Sequence, residues 1–391
     1  MKKKPIDKQI LETQEEIVSI RRKIHELPEL MFDTFKTSQL VAEKLRLFGV
    51  DEVVEGVGRT GVIGKIKGDK NTKNKVIALR ADMDALPITE KTNLPYSSKV
   101  EGVMHACGHD GHTAMLLGAA KYLSKNRDFD GEVILIFQPA EEGGGGGKEM
   151  VETGFLDKFG VQEVYGMHNW PGLSKGSFAI KSGKFFAAAD FFTILVEGEG
   201  GHAANPHTTV DTTLVASQIV SSIQAIAARN VDPLKSIVVS VCSFITDTDA
   251  HNVIPGTVVL KGTVRTMENE MRDLAEKNLS LICENTARAF GASATVDYKR
   301  GYPVMTNSEK ETEIAKEIGY SVTGNETIDV PPVMGAEDFS FMLNERPGAY
   351  ILIGNGESAP VHNPNYNFDD DIISTGVAYW TQLTKSRLRT H

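Results

Sequence analysis

The segment His105-Ala-Cys-Gly-His-Asp-Gly-His112 places three imidazoles and a thiol within eight residues. Such side chains are ligands for zinc and its neighbours in the transition series. The chain has only three cysteines, Cys107, Cys242 and Cys283, and one of them lies between histidines. Packing alone gives no reason for that. Further polar groups follow short apolar runs. Asp82 and Asp84 follow 76–80, Glu141 and Glu142 follow 132–137, His168 follows 163–167, and His362 follows 349–353 after a loop. If the runs are parallel strands, their carboxyl ends share one edge, where ligands gather in open α/β sheets.

Cys107, His109, His168, His362 and one of the paired glutamates offer one sulfur, three nitrogens and one oxygen. Five ligands exceed what one tetrahedral ion takes and suit two ions with one ligand shared. Ions about 3.5–4 Å apart polarise a carbonyl and activate water. The second glutamate is then available as a general base, and Asp84 is placed to orient a ligand imidazole. Each residue alone has a plainer explanation. A lone histidine is more often a hydrogen-bonded core residue, Cys107 a small buried one, Asp82 and Asp84 caps, and Glu141-Glu142 a solvated loop. Their shared position at strand ends makes the joint explanation stronger. The run Gly143–Gly147 does not match a phosphate loop: Glu142 and Glu149 stand where glycine and a hydroxyl are required, and Lys148 breaks the dinucleotide pattern. It reads as a flexible turn that gives the backbone room.

The elements that must hold these groups can be read from periodicity. Ile6, Ile10, Ile17, Ile20 and Ile24 mark an opening amphipathic helix. Helices are expected over 35–48 and 111–124, and strands over 76–80, 132–137 and 163–167. This alternation predicts an α/β fold, a mainly parallel sheet covered on both faces. Residues 186–300 change rhythm. A strand over 191–197, a helix over 209–228, strands over 236–244 and 257–266, a helix over 268–290 and a strand over 294–299 give the order β-α-β-β-α-β of a ferredoxin-like domain. The expected organisation is a catalytic domain of 1–185 and 301–391, interrupted by an inserted dimerisation or lid domain of 186–300. The inserted sheet's edge would be a natural contact with a second copy. A late strand over 349–353 and a helix from about 371 complete the first domain.

The 391 residues carry a formal charge of −10, which opposes nucleic-acid binding. Sparse cysteines point to a reducing compartment without disulfides. The lysine-rich start lacks an apolar signal core, and no run approaches the length of a membrane-spanning helix. These features predict a cytoplasmic protein with no membrane partner.

Taken in order, several stretches resemble the M20 metallopeptidase superfamily, in particular its amidohydrolase branch of aminoacylases, hippurate hydrolases, N-acetyldiaminopimelate deacetylases and auxin-conjugate hydrolases. They are His25-Glu-Leu-Pro-Glu-Leu30, Arg80-Ala-Asp-Met-Asp-Ala-Leu-Pro87, Met104–His112, Phe137-Gln-Pro-Ala-Glu-Glu142, Gly200-Gly-His-Ala-Ala-Asn-Pro-His207, Asn252-Val-Ile-Pro255, Gly262-Thr-Val-Arg-Thr266, Gly335-Ala-Glu-Asp-Phe339 and His362-Asn-Pro. The resemblance covers almost the whole chain. It implies two divalent ions per subunit, with manganese or zinc favoured and cobalt or nickel permitted. Cys107 would bridge them, His109 and His168 would complete one site, and Glu142 and His362 the other. Glu141 would be the general base and Asp84 its supporting carboxylate. His202 would reach a partner subunit's site to stabilise the oxyanion, and Asn252 and Arg265 would hold the substrate carboxylate. Relatives outside this branch place Asp at the position of Cys107 and His at that of Asp82, and a bridging thiolate is open to oxidation. His25, His105, His112, His207 and His251 are left structural or supporting. The expected activity is hydrolysis of N-acyl amino acids, of N-acetyl or N-benzoyl type, by a homodimer or higher homo-oligomer. The alternatives are a dipeptidase or carboxypeptidase on the same scaffold and a non-catalytic metal-binding homologue.

Overall fold

In the computed structural model, residues 4–389 are described. Their internal contacts divide them into two compact units. The first takes the chain up to Gly183, Thr306–Pro331 and the chain from Asp338 onward; the second takes Lys184–Met305 and Pro332–Glu337.

The first unit is built on an eight-stranded sheet. From edge to edge its strands are Glu52–Val57, Gly61–Lys67, Glu132–Gln138, Val76–Asp82, Glu163–Trp170, Gly348–Gly354, Phe178–Ile180 and Ile328–Asp329. The four strands from Glu132–Gln138 to Gly348–Gly354 are mutually parallel. Each is buried along almost its whole length, as expected of strands covered on both faces. The mainly parallel α/β expectation is therefore borne out. The hairpin Glu52–Val57/Gly61–Lys67 adds an antiparallel edge that the sequence reading passed over. Its first strand is half-exposed, so it lacks the continuous apolar run that marks the central strands.

The helix His109–Lys125 packs behind the sheet. Its residues from His109 to Ala120 are all buried, and an apolar surface all round is what a central helix requires. The opening helix Lys8–Glu26 lies against it along Ile10, Ile17, Ile20 and Ile24. The closing helix Ile373–Arg387 contributes Val377, Tyr379, Trp380 and Leu383 to the same core.

One ion cluster fastens that closing helix. The Glu163 carboxylate accepts from Arg387 Nε at 2.7 Å and from the Tyr165 hydroxyl at 2.9 Å, and pairs with Lys75 Nζ at 2.9 Å. Burial opposes its charge, but Arg387 and Lys75 outweigh that and lower the carboxyl from 4.5 to about 2. A carboxyl depressed in the folded state adds stability above its unfolded value, and that stability is lost as pH falls toward the folded one. We predict that Glu163→Gln costs about 2 kcal/mol at pH 7, a figure discounted for solvent screening. The difference should shrink steadily below about pH 4.5. Urea titrations of both proteins at pH 7 and pH 3 measure it; an equal gap at both values would contradict the assignment.

In the second unit, Ile237–Thr246, Thr257–Thr266, Ala188–Glu197 and Ser293–Tyr302 form an antiparallel sheet in that spatial order. Strands two, three, one and four of the unit thus lie side by side, the ferredoxin-like arrangement. Val215, Ala216 and Ile219 of one helix and Ala275, Leu279 and Cys283 of the other pack with Phe192, Ile194, Val196, Val258, Leu260 and Val264 of the sheet. The first of these helices is shorter than the 209–228 expected. It runs Thr212–Ser222, capped by the Asp211 carboxylate, which accepts the Leu214 N–H at 3.0 Å. A wider π-helical turn then follows over Ile226–Asn230.

Candidate metal centre

Four segments at the carboxyl ends of parallel strands, together with the octapeptide, bring the candidate ligands of the first unit together. The Cys107, His109 and His168 donor atoms lie within 4.8 Å of one another, and so do those of Cys107, Glu142 and His362. Cys107 is common to both groups.

The hydrogen bonds of each ring decide which histidine can bind a metal. His109 Nδ1 lies 3.3 Å from Asp84 Oδ1, while its buried Nε2 has no hydrogen-bond partner. His168 Nδ1 lies 2.6 Å from the Asn169 carbonyl, so it carries the proton; its Nε2 faces Cys107 Sγ at 3.3 Å. His362 Nε2 stands 3.2 Å from Glu142 Oε1. In each of the first two rings one nitrogen is fixed by an oxygen acceptor and the other presents a lone pair, the arrangement metal-bound histidines show. His112 differs. Its Nδ1 meets Asp82 at 2.6 Å and its Nε2 accepts the Asn169 N–H at 2.9 Å. His25 is likewise engaged at both nitrogens, by Asp110 at 2.8 Å and Glu90 at 3.3 Å. His105 is buried with neither ring nitrogen bonded, and burial lowers it to about 3.

The charge balance also fits cations. Burial, Glu142 and Glu141 push the Cys107 thiol well up. Burial opposes a proton on His109, yet Asp82, Asp84 and Glu142 together outweigh it and raise the ring to about 10. With no cation present, protons on these donors compensate the surrounding carboxylates. Metal must displace them, so affinity falls as pH falls.

The loop that carries the glutamates is closely fixed. Asp84 accepts the backbone N–H groups of both Glu141 and Glu142 at 3.1 Å, so this carboxylate holds the loop as well as His109. Asp338 is fully buried and accepts from Arg80 at 2.9 Å, from Gln138 Nε2 at 2.7 Å and from the Gly147 N–H at 2.8 Å. Arg80 also donates to Asp82 at 2.7 Å. The glycine run is open at Gly143 but closely packed at Gly144, Gly146 and Gly147, so the expectation of a flexible turn does not extend to its second half. Gly143 and Gly145 have φ of 90° and 70°, and a Cβ on Gly146 would lie 1.8 Å from the Pro139 carbonyl oxygen. We predict that Gly146→Ala costs about 1–3 kcal/mol, as an overpacked site does, and displaces Glu142. Thermal melting and metal content after dialysis check this; a variant unchanged in both would refute it.

Asn169 and Tyr366 are further positioning groups that the sequence reading did not single out. Asn169 Nδ2 donates to the Cys107 carbonyl at 2.6 Å, and the Tyr366 hydroxyl donates to Asn169 Oδ1 at 2.6 Å. Gly108, with φ of 90°, fits beneath them: a Cβ would lie 2.3 Å from Asn169 Nδ2. The signal available was the adjacency of Asn169 to His168.

His202, Asn252 and Arg265 lie in the second unit. His202 ends the short strand Gly201–His202, which pairs with Val253–Ile254, so it neighbours Asn252, whose carbonyl accepts the Ala203 N–H at 3.0 Å. His202 is exposed, and its Nδ1 accepts the Ala204 N–H at 3.1 Å. The neutral ring therefore carries its proton on Nε2 and can donate from there. Arg265 sits mid-sheet opposite Ala189 and Val238. It is half-buried and makes no ion pair among the described residues.

The profile of peptidase family M20/M25/M40 matches residues 78–386. A hippurate hydrolase of Campylobacter jejuni is 42% identical over 383 residues, covering 97% of this chain and 99% of that protein. Thermostable carboxypeptidase 1 of Saccharolobus solfataricus is 42% identical over 378 residues, covering 94% of each. A solved Bacillus subtilis structure, described as a dinuclear metal-binding peptidase from the M20 family, superposes with a TM-score of 0.84 at 33% identity, covering 98% of this chain and all of that one.

Proposed function

The chain belongs to peptidase family M20/M25/M40 and to its amidohydrolase branch, and from that premise we propose that it hydrolyses the amide bond of N-acyl amino acids at a two-metal centre. It is a metal-dependent amidohydrolase. The observation that carries the two-metal reading is the pair of donor groups that share Cys107. In this proposal Cys107 would be shared by the two ions, with His109 and His168 holding one and Glu142 and His362 the other.

Bound divalent ions supply Lewis acidity, polarising a carbonyl and making water acidic enough to react near neutral pH. The mixed sulfur, nitrogen and oxygen set permits zinc, manganese, cobalt or nickel, and the resemblance favours manganese or zinc. The protein's own part is positional. Glu141, in a loop fixed by Asp84, takes a proton from the attacking water and returns it to the leaving amine nitrogen. Asp84 also holds the His109 tautomer. His202 of the partner subunit would donate from Nε2 to the oxyanion. Arg265, a cation without an ion-pair partner among the described residues, holds the substrate carboxylate together with Asn252.

The second unit is proposed as the dimerisation or lid domain. The strand Ile237–Thr246 is an edge of its sheet and exposes Val238, Phe244 and Ile245, a surface suited to another copy of the chain. No helix among the described residues is long and apolar enough to cross a membrane, and the proposed location is the cytoplasm.

The similarity to a carboxypeptidase supports a second reading, cleavage of peptides with a free carboxylate. A panel of N-benzoyl, N-acetyl and longer N-acyl amino acids beside unblocked dipeptides, assayed with each divalent ion, separates the two. Turnover of dipeptides alone would overturn the amidohydrolase reading of the substrate.

A further inference from the structure

The segment Glu29–Met31 runs between the two carboxylate-bearing segments of the metal centre. The Glu29 carbonyl accepts the Ala85 N–H at 2.8 Å, and Leu30 bridges to Ala85, one residue beyond Asp84. The Met31 carbonyl accepts the N–H of Ala140, the residue before Glu141, at 3.1 Å. These contacts come from the backbone and would be made by any residue.

The Met31 side chain is another matter. Residues 30–33 form a turn closed by the Asp33 N–H on the Leu30 carbonyl at 2.9 Å. Met31 occupies its second position with φ of 51°. A positive φ there is the province of glycine or asparagine, and a long side chain is strained. Met31 nevertheless carries an unbranched thioether that is 37% exposed. Its methyl carbon lies 3.1 Å from where a Cβ on Gly144 would stand, so the side chain runs beside the Glu141-Glu142 loop. Neither burial nor the turn accounts for a long side chain at this position. What the side chain adds is an adaptable, partly exposed apolar surface beside Gly144, two residues beyond Glu142, of the kind that packs against aromatic or aliphatic groups.

We propose that Met31 is a specificity-determining residue whose thioether forms part of the wall that receives the acyl group of the substrate, favouring aromatic and longer aliphatic acyl groups over acetyl. The inference rests on the reading of the chain as an N-acyl amino acid hydrolase.

The strain gives the test its leverage, because Met31→Gly relieves the backbone while removing the side chain. The metal-loaded wild type, Met31→Gly and Met31→Leu are assayed on N-benzoylglycine and N-acetylglycine, and each is melted. Met31→Gly should melt no lower than the wild type, while its benzoyl-to-acetyl ratio of kcat/KM falls by about tenfold or more, the range for a lost apolar contact. Met31→Leu should keep the ratio within about threefold. A fall in the glycine variant below about fivefold, a rise, or an equal loss on both substrates overturns the proposal. A lower melting temperature does so too, because it would place the side chain in the packing. If the wild type cleaves neither substrate, the N-acyl amino acid reading itself fails. If it cleaves them and the ratio does not move, only the role of Met31 fails.

Discussion

Replacing Glu141 with alanine is expected to leave the metal in place and lower hydrolysis of an N-acyl amino acid by about 10²- to 10⁴-fold, the range for a lost general base. The two adjacent glutamates are separated by their surroundings. Glu142 shares a donor group with Cys107 and His362. Burial opposes its charge, but a hydrogen bond from His362 and the nearby His109 outweigh that and lower it. Such a carboxylate is committed to cations. Glu141 is outside that group, which is complete without it. Its carboxylate lies within ligand distance of His109 and Glu142, its backbone N–H is accepted by Asp84 at 3.1 Å, and we give it the proton-transfer role. The fall should appear in kcat with little change in KM, because the lost interaction forms in the transition state. Glu142→Ala should instead lose metal along with activity. Metal analysis of both variants beside steady-state kinetics separates these outcomes. Glu141→Ala with full activity, or with its metal gone, would sink the division of roles.

The residues of this centre were legible in the sequence because Cys107 and His109 lie in a cluster of histidines, and the others follow apolar runs, His362 after a loop. A buried parallel strand announces itself by such a run, and its carboxyl end then fixes where the next polar residue lies. The helix Phe35–Phe48 and the strand Thr257–Thr266 were likewise readable to the residue. What escaped notice was the support. Arg80 looks like a strand residue, Asn169 like a loop residue, and Asp338 belongs to a short motif far along the chain. Their roles arise from contacts such as that between Gly147 and Asp338 at 2.8 Å, 191 residues apart in sequence, and no local periodicity encodes those. The glycine run was misjudged for the same reason. Its composition suggests freedom, while Pro139, Ala140 and Asp338 fill the space around Gly144, Gly146 and Gly147.

Cys107 carries the other large effect, because one side chain serves both donor groups. Cys107→Ala leaves each group with two donors, so both ions should be held weakly. Metal content after dialysis should fall from about two per chain to below one, and activity by about a hundredfold or more. His362→Ala removes a donor from one group only and should keep about one ion. A thiolate is not essential for the bridge. A carboxylate has two oxygens to share between ions, and oxygen suits the same metals. Cys107→Asp is therefore expected to recover most of the metal and a measurable part of the activity. It should also resist peroxide, which converts a thiolate to sulfenic and higher acids. Metal analysis of the three variants with activity before and after peroxide tests the bridge. Loss of both ions from His362→Ala as readily as from Cys107→Ala would place the shared ligand elsewhere. Equal peroxide sensitivity in wild type and Cys107→Asp would move the oxidisable group from Cys107 to the exposed Cys242.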